Sequence, residues 1–180
     1  TLKAVVANES KVLSLVPSEQ TFEIHKAVGK NVSYKNPVSN IYMADGPNSL
    51  TDGVRGKMAV GKYWHGMDGK DLVATIDLEK ETKISVISFG CLQHYKDWIF
   101  LPSEVKFEIS NDGVNYKELE TVKNPISVEE KRSTVFDFSV MFSSQNVRYI
   151  RISAKNTLCP IGHPGEGKPS WIFADEIIVK

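Results

Sequence analysis

Apolar and polar residues alternate along much of the chain. In "LVATIDL" (72–78), Leu72, Ala74, Ile76 and Leu78 fall on one side and Val73, Thr75 and Asp77 on the other. That two-residue period is the mark of a half-buried strand. "EVKFEIS" (104–110) repeats it, with Val105, Phe107 and Ile109 set against Lys106, Glu108 and Ser110. The run then meets "NDG", a hairpin turn, and the chain returns in "YKELETV". "STVFDFSV" (133–140), "VRYIRISA" (147–154) and "IFADEIIV" (172–179) read as further strands. In the second of these, alternation points Ile150, Ile152 and Ala154 one way and sets Arg148 and Arg151 on opposite faces. "TKISVISFG" (82–90) is almost continuously apolar, as a central strand can be. No segment sustains an amphipathic helix beyond a turn or two. The pattern predicts an all-β fold, an antiparallel sandwich or barrel.

The first residues behave differently. "TLKAVVA" and "VLSLVPSEQTFEI" read as strands separated by "NESK", and "GKNVSYKNPVSNIYMADGPNS" then gathers Gly, Pro, Asn and Ser. Residues 1–25 are expected to be the tail of a preceding small β module or a linker, and residues 26–180 the main domain. The chain opens on Thr and shows no signal peptide, so it reads as a piece of a longer protein.

Charge narrows the partners. Twenty-two basic and 22 acidic residues cancel, which argues against binding a phosphate backbone. No apolar run reaches the length of a membrane span. Cys91 and Cys159 are the only cysteines, too few for a disulfide framework or a zinc site. Cys91 lies in "VISFGC" and reads as a buried thiol; whether the two pair stays open.

Three loops carry unusual residues: "KYWHGMDGKD" (62–71), "LQHYKDWIF" (92–100) and "CPIGHPGEGKPSW" (159–171). Together they hold all three Trp and three of the four His residues. Loops gather at the ends of a sandwich and carry function there. Aromatic rings beside polar groups suit a sugar: the ring covers the C–H face, and His, Gln, Asp or Lys bond the hydroxyls. On this reading Trp98 stands near the surface in order to stack. The opposing reading makes each Trp a plug for the end of the core. Catalysis finds no support, because no carboxylate pair falls in a glycosidase motif and no nucleophile elbow, HExxH or phosphate loop is present.

"LTDGVRG" (50–56), "YWHG" (63–66), "VATIDLEKETKISVISFG" (73–90), "VKFEISNDGVNYKEL" (105–119), "VRYIRISAKN" (147–156) and "ADEIIVK" (174–180) occur in that order. Over residues 27–180 this resembles the discoidin, or coagulation-factor type C, domain. Glu79 stands where the family's "IDLG" has Gly. "DWIFLP", "CPIGHPGEGKPSW" and "WIFADEIIV" bring the chain closest to the variant at the C-terminus of bacterial chitobiase-like β-N-acetylhexosaminidases. "TLKAVVA" likewise resembles the last strand of a small β-domain that precedes it there.

The resemblance implies a jelly-roll-like, galactose-binding-domain-like β-sandwich of about eight strands. It also implies a non-catalytic carbohydrate-binding module of a secreted, periplasmic or cell-surface glycosidase. Its partners would be a glycan or terminal sugar and the parent's catalytic domain. The sugar-contact residues it implies are His65, Gln93 (near a position that is often Arg), Trp98, His163 and Trp171, with Trp64 in the core. It further implies a structural calcium held by the carboxylates of Asp52 and Glu176, by Asp175 through its carbonyl, and by carbonyls of the 52–58 loop. A spacer packed on the catalytic domain, without a ligand of its own, is the alternative. A lipid- or protein-binding discoidin domain ranks below both, since no Lys/Arg cluster stands out in the loops.

Overall fold

The computed structural model describes residues 1–5, 7–8, 11–12, 16 and 18–180. Eleven strands occur in chain order: β1 (Leu2–Ala4), β2 (Ala7–Asn8), β3 (Lys11–Val12), β4 (Ser18–Gln20), β5 (Val32–Tyr34), β6 (His65–Asp68), β7 (Leu72–Gln93), β8 (Glu104–Ser110), β9 (Lys117–Lys123), β10 (Thr134–Lys155) and β11 (Trp171–Val179). Two 3-10 turns, Ser49–Thr51 and Tyr95–Asp97, interrupt them, and the described residues contain no α-helix.

Strands β7 and β10 create the sandwich by bending. The first limb of β7, 72–77, pairs with 149–154 of β10, and its last limb, 86–93, pairs with 134–141. Between the limbs Glu79 takes a left-handed backbone (φ 69°), and the β7–β10 register shifts twice, between Met141 and Gln145 and between Val147 and Tyr149. Bulges and positive-φ residues bend and twist a ladder. One hydrogen-bonded sheet is thereby folded into two layers. The first contains β5, the first limb of β7, the last limb of β10, β8 and β9; the second contains β6, β11 and the other two limbs. All these pairings are antiparallel.

The inward positions of both layers form a single core. Leu72, Ala74, Ile76, Val105, Phe107, Ile150 and Ile152 from one layer belong to the same buried cluster as Ile87, Phe89, Phe138, Ala174 and Ile177 from the other. Cys91 lies in that cluster, and both cysteines are free and buried. The all-β sandwich expected from the alternation is the fold observed. One detail differs. Arg148 bonds Asp77 (Nε–Oδ1 2.9 Å) and Arg151 bonds Glu108 (Nε–Oε2 2.9 Å), both on the outer face. The bulge between Val147 and Tyr149 interrupts the alternation, so Arg148 and Arg151 share a face instead of opposing each other.

A second cluster seals the loop end over β11. Trp64, Leu92, Ile99 and Phe173 are buried there, with Tyr42, Val60, Val135 and Trp171 packed around them. Trp64 donates its indole N–H to the carbonyls of Lys57 (2.9 Å) and Ala59 (3.2 Å). It is the core residue the resemblance implies.

At the N-terminus β1 pairs with β4 and β2 with β3, in two small sheets separate from the sandwich. The expected strands in residues 1–7 and 12–24 fall partly outside the described residues, at 6, 13–15 and 17. Among the described residues, bonding to the sandwich begins at Glu23, whose N–H donates to the Gly53 carbonyl (2.7 Å).

Candidate functional site

Trp171 is where the three Trp- and His-bearing loops meet. It pairs with Asp68 at the end of β6, so the 62–71 loop runs beside it. Its N–H donates to the Trp98 carbonyl (2.9 Å), and its own carbonyl accepts from Phe100 (3.1 Å). Its half-buried ring stands edge-on to Tyr42 and Phe173. Residues far apart in sequence are thus joined by main-chain bonds into one rigid end of the sandwich.

The 159–171 loop is locked to the 92–100 loop by His163. Its Nε2–H donates to the Tyr95 carbonyl (2.9 Å), and its Nδ1 accepts from the Gly165 N–H (3.0 Å). Both nitrogens are therefore used inside the protein. The ring stands edge-to-face with Tyr95, Trp98 and Phe100 at centroid distances of 4.7, 5.3 and 5.4 Å. Aromatic groups prefer this geometry because ring edges are positive and faces negative.

Trp98, like Tyr95, is a partly exposed member of that cluster. It closes the Tyr95–Asp97 turn in a left-handed conformation, φ 63° and ψ 22°, with its N–H donating to Tyr95. Glycine is the usual residue at such a position, and a bulky residue there is strained. The indole is held by Gly165: a Cβ added to that glycine would lie 2.5 Å from the ring. The Lys168 ammonium lies 5.8 Å from the ring centroid, at cation–π range. Beyond it the loop exposes Leu158 and Ile161.

His65 and Gln93 lie inside the protein with no exposed surface. His65 is stacked on Tyr34 (4.9 Å, 6° between planes) and bonded through Nδ1 to Ser49 Oγ (3.0 Å), while its Nε2 has no partner among the described residues. Burial lowers its pKa to about 4. Gln93 donates to the carbonyls of Ser127 (3.0 Å) and Glu130 (3.1 Å) and so tethers the 124–133 loop to β7. In this structure Trp98 and Trp171 are the members of the expected contact set that reach the surface. Tyr95 and Gly165, which support Trp98, did not stand out in sequence; the one signal was the Gly-rich "GHPGEG".

The expected calcium ligands lie at the base of the 52–58 loop. Glu176 has no exposed surface, and one oxygen accepts from the Gly53 N–H (3.0 Å) and the other from His25 Nε2–H (2.8 Å). Burial, reinforced by the adjacent Asp52 carboxylate, pushes Glu176 up to about 9. Burial also raises Asp52, which accepts from the Val54 N–H (2.7 Å). The Asp175 carboxylate points to the other side of β11. It accepts there from Arg55 Nε and the Gly56 N–H (both 2.8 Å), which leaves its carbonyl as the group that could face a cation. Among the described residues no group of three or more His, Cys, Asp or Glu side chains is arranged to hold a metal. A cation here would need carbonyl oxygens beside the Asp52–Glu176 pair.

Residues 33–167 match the F5/8 type C domain family, and the chain belongs to it. No curated protein sequence matches the chain. Among solved structures it is similar to chitosan-binding module 1 of a chitosanase/glucanase from Paenibacillus sp. IK-5. There identity is 13%, coverage 88% of this chain and 99% of that one, and the TM-score 0.56. It is similar also to a Clostridium perfringens module, CpGH89CBM32-4, in complex with GlcNAc-α-1,4-galactose, at 16% identity, 91% and 97% coverage and TM-score 0.53. A third similar structure is a Ruminococcus gnavus GH29 fucosidase in complex with fucose, at 20% identity and TM-score 0.56, where 87% of this chain spans 26% of the other. At these identities the likeness establishes a shared fold, one found both as separate modules and within larger enzymes. No helix among the described residues is long and apolar enough to cross a membrane.

Proposed function

We propose that the chain is a non-catalytic carbohydrate-binding module of a larger glycoside hydrolase, acting outside the cytoplasm and binding a terminal sugar at the loop end. The observation that carries this reading is Trp98: a partly exposed indole held in a strained backbone by Gly165 and His163, where three loops converge. Strain in a well-braced side chain points to a functional position. The ring offers an apolar surface of the kind that covers a sugar's C–H face, while Lys168 lies beside it to bond hydroxyls. His163 supports this surface from below. One module of similar fold is a chitosan-binding module and another is in complex with GlcNAc-α-1,4-galactose, so an amino sugar or galactose-like terminus is the proposed ligand class. A chitobiase- or hexosaminidase-type parent rests on the sequence resemblance.

Calcium is proposed as the partner of Asp52 and Glu176. A buried carboxylate beside a half-buried one needs a proton or a cation between them, and a calcium ion would fix the 52–58 loop against β11. His25 already holds one Glu176 oxygen.

The exposed Leu158 and Ile161 favour the second reading, a spacer whose loop end packs on the catalytic domain. A tryptophan-fluorescence titration with N-acetylglucosamine, N-acetylgalactosamine, galactose and their short oligosaccharides separates the two. A saturable shift that disappears in Trp98→Ala is expected. A folded protein that responds to none of these sugars would give way to the spacer reading. The same samples melted with calcium and with chelator test the ion: equal melting temperatures would refute it.

A further inference from the structure

The outer face of the first layer carries a groove of about 490 Å³, apart from the loop end. Lys35 lies at its edge beside β5, Thr75 comes from β7, Arg151 and Ser153 from β10, and Lys106 and Glu108 from β8. The groove therefore crosses four neighbouring strands, roughly 14 Å at the usual strand spacing. Past Lys106 and Ser153 a second depression of about 280 Å³ leads toward Asp71, Glu104 and Lys155, where acids and bases are even, so the charge imbalance belongs to the first depression alone.

The charges in the groove do not balance. Glu108 accepts from both Nε and Nη2 of Arg151 (2.9 Å each), with the Lys106 ammonium 3.3 Å away. One carboxylate is thus shared by two cations. Lys35 forms no ion pair among the described residues, so three cations face one acid. Arg151 is held in place as well as paired, since its guanidinium lies 3.8 Å from the Tyr116 ring centroid. Nη1 makes no hydrogen bond among the described residues. A fixed planar donor, two ammonium groups and the hydroxyls of Thr75 and Ser153 thus line one open channel. Carboxylates match an Arg fork, and hydroxyls bond the rest of a sugar ring.

We propose that this groove is a second binding site, for an acidic oligosaccharide such as an oligo-uronate. A longer polyanion such as a nucleic acid fits less well: the chain has no net charge, and only three cations converge here. The saccharide class rests on the carbohydrate-binding reading above; the place of the site and the sign of its ligand do not.

The test is calorimetric titration with tetragalacturonate and, in parallel, with chitotetraose. It uses the full chain, the Lys35→Ala/Lys106→Ala double variant and Trp98→Ala. Both lysines are on the surface, so the double variant keeps its core. Saturable uptake of tetragalacturonate is expected, weakening as salt is added. Loss of the two ammonium groups should weaken it about tenfold, and Trp98→Ala should leave it unchanged. No saturable uptake at millimolar concentration would overturn the proposal, as would an unchanged affinity in the double variant. Loss of the tetragalacturonate signal in Trp98→Ala would also overturn it by assigning the ligand to the loop end. If chitotetraose fails to bind while tetragalacturonate behaves as expected, the amino-sugar form of the loop-end reading falls and the groove stands.

Discussion

Glu79 and His65 each have a conformation or surroundings that ordinary residues avoid. Glu79 turns the corner of β7 at φ 69°, with its N–H donating to Asp77 Oδ1 (2.7 Å). Family resemblance placed Gly there, and the geometry gives the reason: only Gly adopts this backbone without strain. Glu79 also pairs with Lys30 (2.6 Å), but its own side chain is mostly exposed, and such pairs contribute little. Glu79→Gly should therefore stabilise the protein by about 0.5–1 kcal/mol, read as a melting temperature higher by a few degrees; a lower one would mean the Lys30 pair outweighs the strain. His65 presents the second case. Its folded pKa of about 4 lies below the usual histidine value of 6.5 because burial disfavours the charged ring. The unfolded chain then takes up the proton first. Its contribution to stability is complete above pH 6.5 and is lost as pH falls from there to about 4. The full loss is roughly 3 kcal/mol at 1.36 kcal/mol per unit. Tyr34 and Ser49 face the ring and offer no compensating charge. Denaturant melts over that pH range should show His65→Phe flatter than wild type, and parallel curves would contradict the assignment.

At the scale of strands and loops, what could be read in the sequence divides by range. β8 begins and ends where the alternation of "EVKFEIS" does, and 72–78 keeps its predicted inward set. Local periodicity records which face is buried. The clustering of Trp and His in three loops also translated into contact, through the main-chain bonds of Trp171. What alternation could not carry was the bulge that brings Arg148 to the same face as Arg151, because the extra residue leaves no mark in the polar pattern. Nor could it say which loop residues face water. His65 and Gln93 were expected to contact a ligand, and they are enclosed by Tyr34, Ser49 and the 124–133 loop, all distant in sequence. The Trp98 turn depends in the same way on a remote glycine. Gly165→Ala would place a methyl group 2.5 Å from the indole, and the ring would have to swing toward solvent. We expect a red-shifted tryptophan emission and a stability loss of about 1–3 kcal/mol, the usual cost of overpacking. An unshifted spectrum would show that the loop, not the ring, gives way.

Over the whole molecule, the question is where the sandwich begins. The sequence suggested a boundary after residue 25. The bonding pattern ties the preceding residues to the domain: Glu23 donates to the Gly53 carbonyl, its carboxylate lies 3.1 Å from Lys180 and 3.8 Å from Arg55, and His25 donates to the buried Glu176. These contacts connect the N-terminal segment to the 52–58 loop, to β11 and to the last residue of the chain. Most of the Glu23 ion pairs are exposed and worth little. The His25–Glu176 bond is different, because neither side chain has any accessible surface. Removing one partner leaves the other buried and unsatisfied, which costs about 1–3 kcal/mol. A chain beginning at Phe22 should therefore keep its melting temperature relative to one beginning at Lys26, which should melt lower by roughly 4–8 °C for a loss near 2 kcal/mol. Equal melting of the two would show that Glu23 and His25 only lie against the domain. A lower value confined to the shorter chain would place both residues within the folding unit, and with them the loop that we propose holds calcium.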